Sequence, residues 1–336
     1  MTGRERALAI LAGQKADHLA FMPITMMFAA HVLGEKYGRY AGDYRVMVDA
    51  QVKTAEAFGF DHVSAIGPPA PEAADLGAKM QWYEDQPPAM VEAESLFADK
   101  REFARVRDLG PVCGKWAENR IRGIESMRSR VGNELLVEGW VSGPCAGAAD
   151  LRGINRLMLD FVDDPAFVRE LFDFALELGI RYAGFQIDAG AEIVGIGDPT
   201  ASLVGPRIYR EFVWPREQRL VAAIHAMGAR ARLHICGNTQ KILRGMGELG
   251  CDSVDIDFPV PLEQARTQMG DGQTIAGNLD PVRDVRNGSP ETITQRLENL
   301  QKAAGPRWVV AAGCEIVRDT PHENLLAMMR FAQSHM

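Results

Sequence analysis

The stretch R-A-R-L-H-I-C-G, residues 230–237, decides how this chain is read. Arg232 to Cys236 has the character of the end of a buried strand, and a Gly-Asn-Thr turn follows at once. Residues two apart on a strand share a face, so His234 and Cys236 project together. A second apolar run, W-V-V-A-A-G-C at 308–314, also ends in a cysteine, Cys314. One imidazole and two thiols at two strand ends form a soft nitrogen/sulfur donor set, which suits zinc with one position left open. The plain alternative is a core histidine beside a buried thiol, with Cys314 unrelated.

Outward from this stretch, strand-like apolar runs recur at 20–27, 62–67, 135–142, 192–198, 230–237, 253–257, 274–278 and 308–314. Helical patterns fall between them at 44–58, 115–131, 164–188, 206–227, 239–249, 262–269, 290–304 and 321–334. Several helix starts pair a capping residue with proline near the first turn, as in Gly288-Ser289-Pro290-Glu291. Strand and helix in alternation predict a parallel sheet. Eight strand candidates, with no G-x-G-x-x-G after the first, predict a closed (β/α)8 TIM barrel rather than a doubly wound sheet. Residues 77–92 read as a hairpin between the second and third strands. The first dozen residues read as an N-terminal helical extension. The whole chain, 1–336, is expected to be one domain.

Composition excludes several classes. With 46% hydrophobic and 24% charged residues, the chain has the makings of a soluble protein with a sizeable core. A net charge of -8 argues against a nucleic-acid partner. The longest apolar run, 19–33, is broken by Pro23 and His31 and is too short to span a membrane. No signal peptide is read at the start, so the cytoplasm is the expected location. Five cysteines at irregular spacing do not suggest a disulfide framework, and Cys113, Cys145 and Cys251 read as ordinary buried or half-buried residues.

Active sites of this fold gather at the C-terminal ends of the strands, where His234, Cys236 and Cys314 lie. Asp198, Asp255, Asp257, Asn278 and Asp280 end other strands at the same mouth. Each has a humbler reading: Asp198 before Pro199 could cap a helix, and Asn278 and Asp280 could form a turn. Met22, Met26 and Met27 end the first strand and read as core filling, or as the seat of a large apolar ligand. His225 and His322 read as surface or capping residues. Two thiolates make a metal less electrophilic than histidines alone would, so holding a thiolate nucleophile is the natural task. Hydrolysis, with Asp198 or Glu192 as base toward a metal-bound water, is the rival. Glu192 is also a lesser candidate for a fourth ligand.

The segments His234-Ile-Cys-Gly-Asn238, Asp255-Ile-Asp257, Ala276-Gly-Asn-Leu-Asp-Pro281, Gly288-Ser-Pro-Glu291, Gly313-Cys314 and Thr320-Pro-His-Glu-Asn-Leu325 together resemble the uroporphyrinogen decarboxylase superfamily. They look closest to its corrinoid-dependent branch, the methylcobamide:coenzyme M methyltransferases. The likeness spans nearly the whole chain. It implies a (β/α)8 barrel in which His234, Cys236 and Cys314 bind zinc (Zn2+). It further implies methyl transfer from a methylcorrinoid (cobalamin), presented by a small corrinoid protein, to a thiol such as coenzyme M. Asp198 and Asn278 then stand as candidate catalytic or corrinoid-facing groups, with Met26 and Asp257 also facing the corrinoid. The true decarboxylases carry an Arg-Gln-Ala-Gly-Arg-Tyr segment near the N-terminus, whereas residues 22–28 here read M-P-I-T-M-M-F. Three alternatives stay open: tetrahydrofolate as acceptor, a metal-free decarboxylase, and a corrinoid- or tetrapyrrole-binding protein without catalysis.

Overall fold

A computed structural model describes residues 1–67, 70–107 and 113–336. Its strands, in chain order, are β1 (Ala20–Phe21), β2 (His62–Ser64), β3 (Met80–Gln81), β4 (Ala89–Met90), β5 (Leu136–Ser142), β6 (Ile193–Gly197), β7 (Arg230–His234), β8 (Ser253–Asp255), β9 (Thr274–Ala276) and β10 (Trp308–Val310). Eight of them form one parallel sheet in the order β1-β10-β9-β8-β7-β6-β5-β2. The two edges meet where Asp61 N donates to Phe21 O at 3.0 Å. The Asp61 carboxylate accepts from Phe21 N at 2.7 Å. The result is a (β/α)8 barrel, whose closure leaves no exposed edge for another chain to pair with.

The strands are short because each leaves the ladder where the site begins. The first apolar run yields only Ala20–Phe21, because Pro23 cannot donate to a ladder and a helix starts at Met27. Likewise β7 ends at His234 and β10 at Val310, so Cys236 and Cys314 sit just beyond their strands, not on them. The helix anticipated over 206–227 is broken into Gly205–Ile208, a π-helical turn Tyr209–Val213, and Trp214–Ala226. Pro215 explains the wide turn, since it has no N–H for the usual bond and its ring crowds the carbonyl four residues back. The pattern at 239–249 yields a helix only over Leu243–Gly247.

The hairpin read at 77–92 is β3 paired antiparallel with β4. The N-terminal helix is Gly3–Leu11, held by a reciprocal Thr2/Glu5 capping box. Helices Pro144–Arg152 and Ile154–Asp163, between β5 and the long helix Pro165–Asp188, were not legible as separate elements.

Apolar side chains of the sheet's outer face and the surrounding helices make one continuous core, including Phe172, Leu220, Val254 and Trp308. Inside the barrel the packing is partly ionic. Arg232, 1% exposed, reaches across the interior from β7. Its Nε donates to both Asp255 oxygens at 2.9 and 3.1 Å, and its Nη1 to Glu138 Oε1 at 3.0 Å. Ser64 Oγ donates to Glu138 Oε2 at 2.8 Å, and Trp140 Nε1 to Ser64 Oγ at 2.9 Å. A desolvated guanidinium survives there because two carboxylates face it and its hydrogen bonds are satisfied.

Candidate metal centre

At the C-terminal end of β7 the ladder places His234 beside Asp255 of β8. Asp255 Oδ2 lies 3.0 Å from His234 Nδ1, which turns the other ring nitrogen toward the two thiols. Nε2 is 3.0 Å from Cys236 Sγ and 3.7 Å from Cys314 Sγ, and the two sulfurs are 3.7 Å apart. Gly237 follows in the left-handed region at φ +86, a conformation that favours glycine. Its N–H donates to Asp257 Oδ2 at 2.6 Å, fixing the turn that carries Cys236.

The residues present fit a zinc ion. A tetrahedral site with Zn–S near 2.3 Å and Zn–N near 2.1 Å separates its donors by roughly 3.6–3.8 Å. Two of the three edges, at 3.7 Å, already match that spacing. The carboxylate behind the histidine is the usual outer partner of a metal-bound imidazole. No other group of three or more such donors clusters among the described residues.

The electrostatics favour anionic sulfur. The Cys314 thiol is lowered to about 4, chiefly by its hydrogen bond with Cys236 and also by His234, against the opposing effect of burial. Cys236 is pushed up by that same bond, so the pair shares one proton. Burial alone would depress His234, but the Asp255 and Cys314 contacts outweigh it and raise the ring to about 10. Asp255 is desolvated, yet Arg232 and His234 hold its carboxyl below the usual range.

Above the three donors lies a cavity of about 270 Å³ lined by Met26, Ile66, Trp140, Thr200, Tyr182 and Arg120 among others. Met26 is thus on the cavity wall, while Asp198, Asp257 and Asn278 are not among the lining residues. Fully buried Asp198 accepts from Cys145 N at 3.1 Å and Ala146 N at 2.7 Å, capping the helix Pro144–Arg152. Burial raises that carboxyl to about 7, although the two N–H groups pull it down. Asn278 donates to Val260 O at 2.6 Å and bridges the loops after β8 and β9. Glu192, weighed as a ligand, lies at the far end of the barrel with Arg4 and Arg128 at 2.7 and 3.0 Å. Cys145 and Cys251 are buried and free, whereas Cys113 is exposed, not buried or half-buried as expected. Sequence reading missed Arg232 and Glu138. The signal was there: a charged residue inside each apolar strand, one of them two positions from His234 on the same face.

Comparison with known proteins agrees with this architecture. The profile of the family described as "Uroporphyrinogen decarboxylase (URO-D)" matches residues 2–335. The chain is similar to the methylcobamide:CoM methyltransferase MtbA of Methanosarcina mazei, 30% identical over 217 residues, covering 64% of this chain and 63% of that protein. It therefore spans less than two thirds of that relative's length. It is also 27% identical over 340 residues to the methylated-thiol–coenzyme M methyltransferase of the same organism, covering 98% and 89% of the two chains. The solved structure of a methyltransferase from Methanosarcina mazei superposes with a TM-score of 0.86 over 99% of both chains at 21% identity, which shows the shared fold. The chain belongs to the uroporphyrinogen decarboxylase (URO-D) family.

Proposed function

We propose that this protein is a zinc-dependent methyltransferase that moves a methyl group from a methylated corrinoid to a thiol. The observation that carries the reading is the trio His234, Cys236 and Cys314, braced by Asp255 beneath a small cavity. Zinc, when bound by these three side chains, would supply the Lewis acidity that keeps an incoming thiol deprotonated at neutral pH.

The chain's own residues do the rest. Asp255 fixes the His234 tautomer, and Arg232 holds Asp255 in turn. Trp140, Ile66 and Met26 wall the cavity with apolar surface, which sheds water around the thiolate. The sulfur attacks the methyl carbon, the S–C bond forms as the cobalt–carbon bond breaks, and that electron pair stays on the corrinoid. The thiol proton leaves to solvent. Alignment of the two reactants at the barrel mouth supplies the orientation.

Asp198 and Asn278 act in this reading through the loops they anchor, and Asp257 through the Cys236 turn. Met26 lies on the wall toward the corrinoid, which a small separate protein delivers. The reading takes the chain as one barrel domain, and a reducing cytoplasm would keep its thiols free. No helix among the described residues is long and apolar enough to cross a membrane. A cavity of about 270 Å³ suits a compact thiol better than tetrahydrofolate. A single lining arginine, Arg120, also fits a polycarboxylated tetrapyrrole poorly. The test is methylcobalamin demethylation with a panel of small thiols, by zinc-loaded wild type and by Cys236→Ser. Thiol-dependent turnover lost in the variant is expected, and equal turnover in both would overturn the reading.

A further inference from the structure

The cavity has a second pole, made by groups that the metal centre leaves unused. Arg120, on the helix Lys115–Val131, is 4% exposed and lines the cavity. Its partners are weak ones for a buried cation: Ala41 O at 3.2 Å and Met47 Sδ at 3.1 Å. No carboxylate among the described residues pairs with it. The guanidinium instead packs against Gly67, where a Cβ would clash with its Nη2 and Cζ, so only glycine leaves it that path to the cavity. Tyr182, also 4% exposed, lines the same space, and its buried hydroxyl has no hydrogen-bond partner.

Asp150 lines the cavity too and makes no hydrogen bond or ion pair with any described residue. Burial, and with it the negative charge of Glu72 and Asp198, pushes its own carboxyl up to about 8. A cationic group would relieve that region. Glu315, the remaining carboxylate on the wall, is already engaged by Met26 N and Met27 N at 3.1 and 2.6 Å. An unpartnered guanidinium and an unpartnered carboxyl thus line one space without pairing with each other, and a ligand ammonium beside Asp150 would favour its ionised form. A buried arginine and a buried hydroxyl left so are expensive unless a ligand completes them.

We propose that the acceptor is an α-amino acid thiol whose carboxylate docks on Arg120 and Tyr182, whose ammonium docks on Asp150, and whose sulfur reaches toward His234, Cys236 and Cys314. This rests on the methyl-transfer reading and narrows it from thiols in general to zwitterionic ones. Opposite charges at fixed places reject analogues that lack either one, because the site's own group is then left unpaired.

Calorimetric binding of the methylated product type tests the site without any turnover. The probes are L-methionine, 3-(methylthio)propanoate with the anion only, and 3-(methylthio)propylamine with the cation only. Methionine should bind about tenfold or more tighter than either. Asp150→Asn should weaken methionine and the amine and leave the propanoate unchanged. Arg120→Gln should weaken methionine and the propanoate and leave the amine unchanged, with Arg120→Lys restoring part of the loss. Propanoate binding as well as methionine, indifferent to Asp150→Asn, would overturn the inference, as would no binding of any probe. A companion assay compares homocysteine, 3-mercaptopropionate and cysteamine as acceptors from methylcobalamin. Equal turnover of all three would sink the amino-acid assignment and leave methyl transfer standing. Methionine binding as expected, with no transfer to any thiol, would instead sink the methyl-transfer reading.

Discussion

Asp255 and His234, neighbours across the β7–β8 ladder, meet at 3.0 Å between Oδ2 and Nδ1, while Arg232 grips the other side of the same carboxylate. The ring nitrogen that faces the two thiols is therefore set by a carboxylate on the neighbouring strand. Removing the charge tests this directly. Asp255→Asn should lower zinc affinity by about 10–100-fold, read by competition with a chromophoric chelator. Unchanged affinity would show that packing alone orients the ring.

Cys236→Ser and Cys314→Ala remove one donor each from a three-residue set. Both should purify with little zinc and lose thiol-dependent demethylation of methylcobalamin, with circular dichroism like wild type. Both sulfurs are only half-buried, so the fold does not depend on them. Full zinc in either variant would mean that other residues hold the ion.

The metal-free protein should show one reactive thiolate at acidic pH. Since the Cys314 thiol is lowered to about 4, the anion persists far below the ordinary thiol value of 9.0 and is lost only as pH falls through about 4. Cys236, raised by the same contact, stays protonated. Alkylation at Cys314, followed by peptide mass spectrometry, should thus vary little from pH 9 to about 5 and collapse below about 4, with zinc protecting it. A rate rising tenfold per pH unit up to 9 would contradict the shared-proton arrangement.

Arg232→Met keeps an unbranched apolar stem and deletes the charged head, which strands Asp255 and Glu138 inside the barrel. The expected loss is about 3–5 kcal/mol in denaturant midpoint analysis. Adding Asp255→Asn and Glu138→Gln should recover part of that loss, because the unpaired charges then disappear. A single variant as stable as wild type would mean water already solvates this layer.

Much of this protein was legible before any coordinates. Strand-helix alternation gave eight barrel strands in the right places, and the i, i+2 spacing of His234 and Cys236 put both on one side of a strand end. Boundaries were less legible. The apolar runs at 20–27 and 308–314 overshoot β1 and β10, because burial continues past the point where the ladder hydrogen bonds stop. Asp198 could be read as a site residue or a cap, and the structure makes it the cap of a helix on another part of the chain.

The sequence by itself determined the donor types and the barrel that carries them, because periodicity and residue chemistry are local properties. Only the tertiary structure decided which atoms meet. That Cys314 stands 3.7 Å from Cys236, that Asp255 backs His234, and that Arg120 and Asp150 share one cavity all depend on closing the sheet. Closure brings the ends of β7 and β10, 78 residues apart at their cysteines, to one mouth, and no local pattern records such a distance.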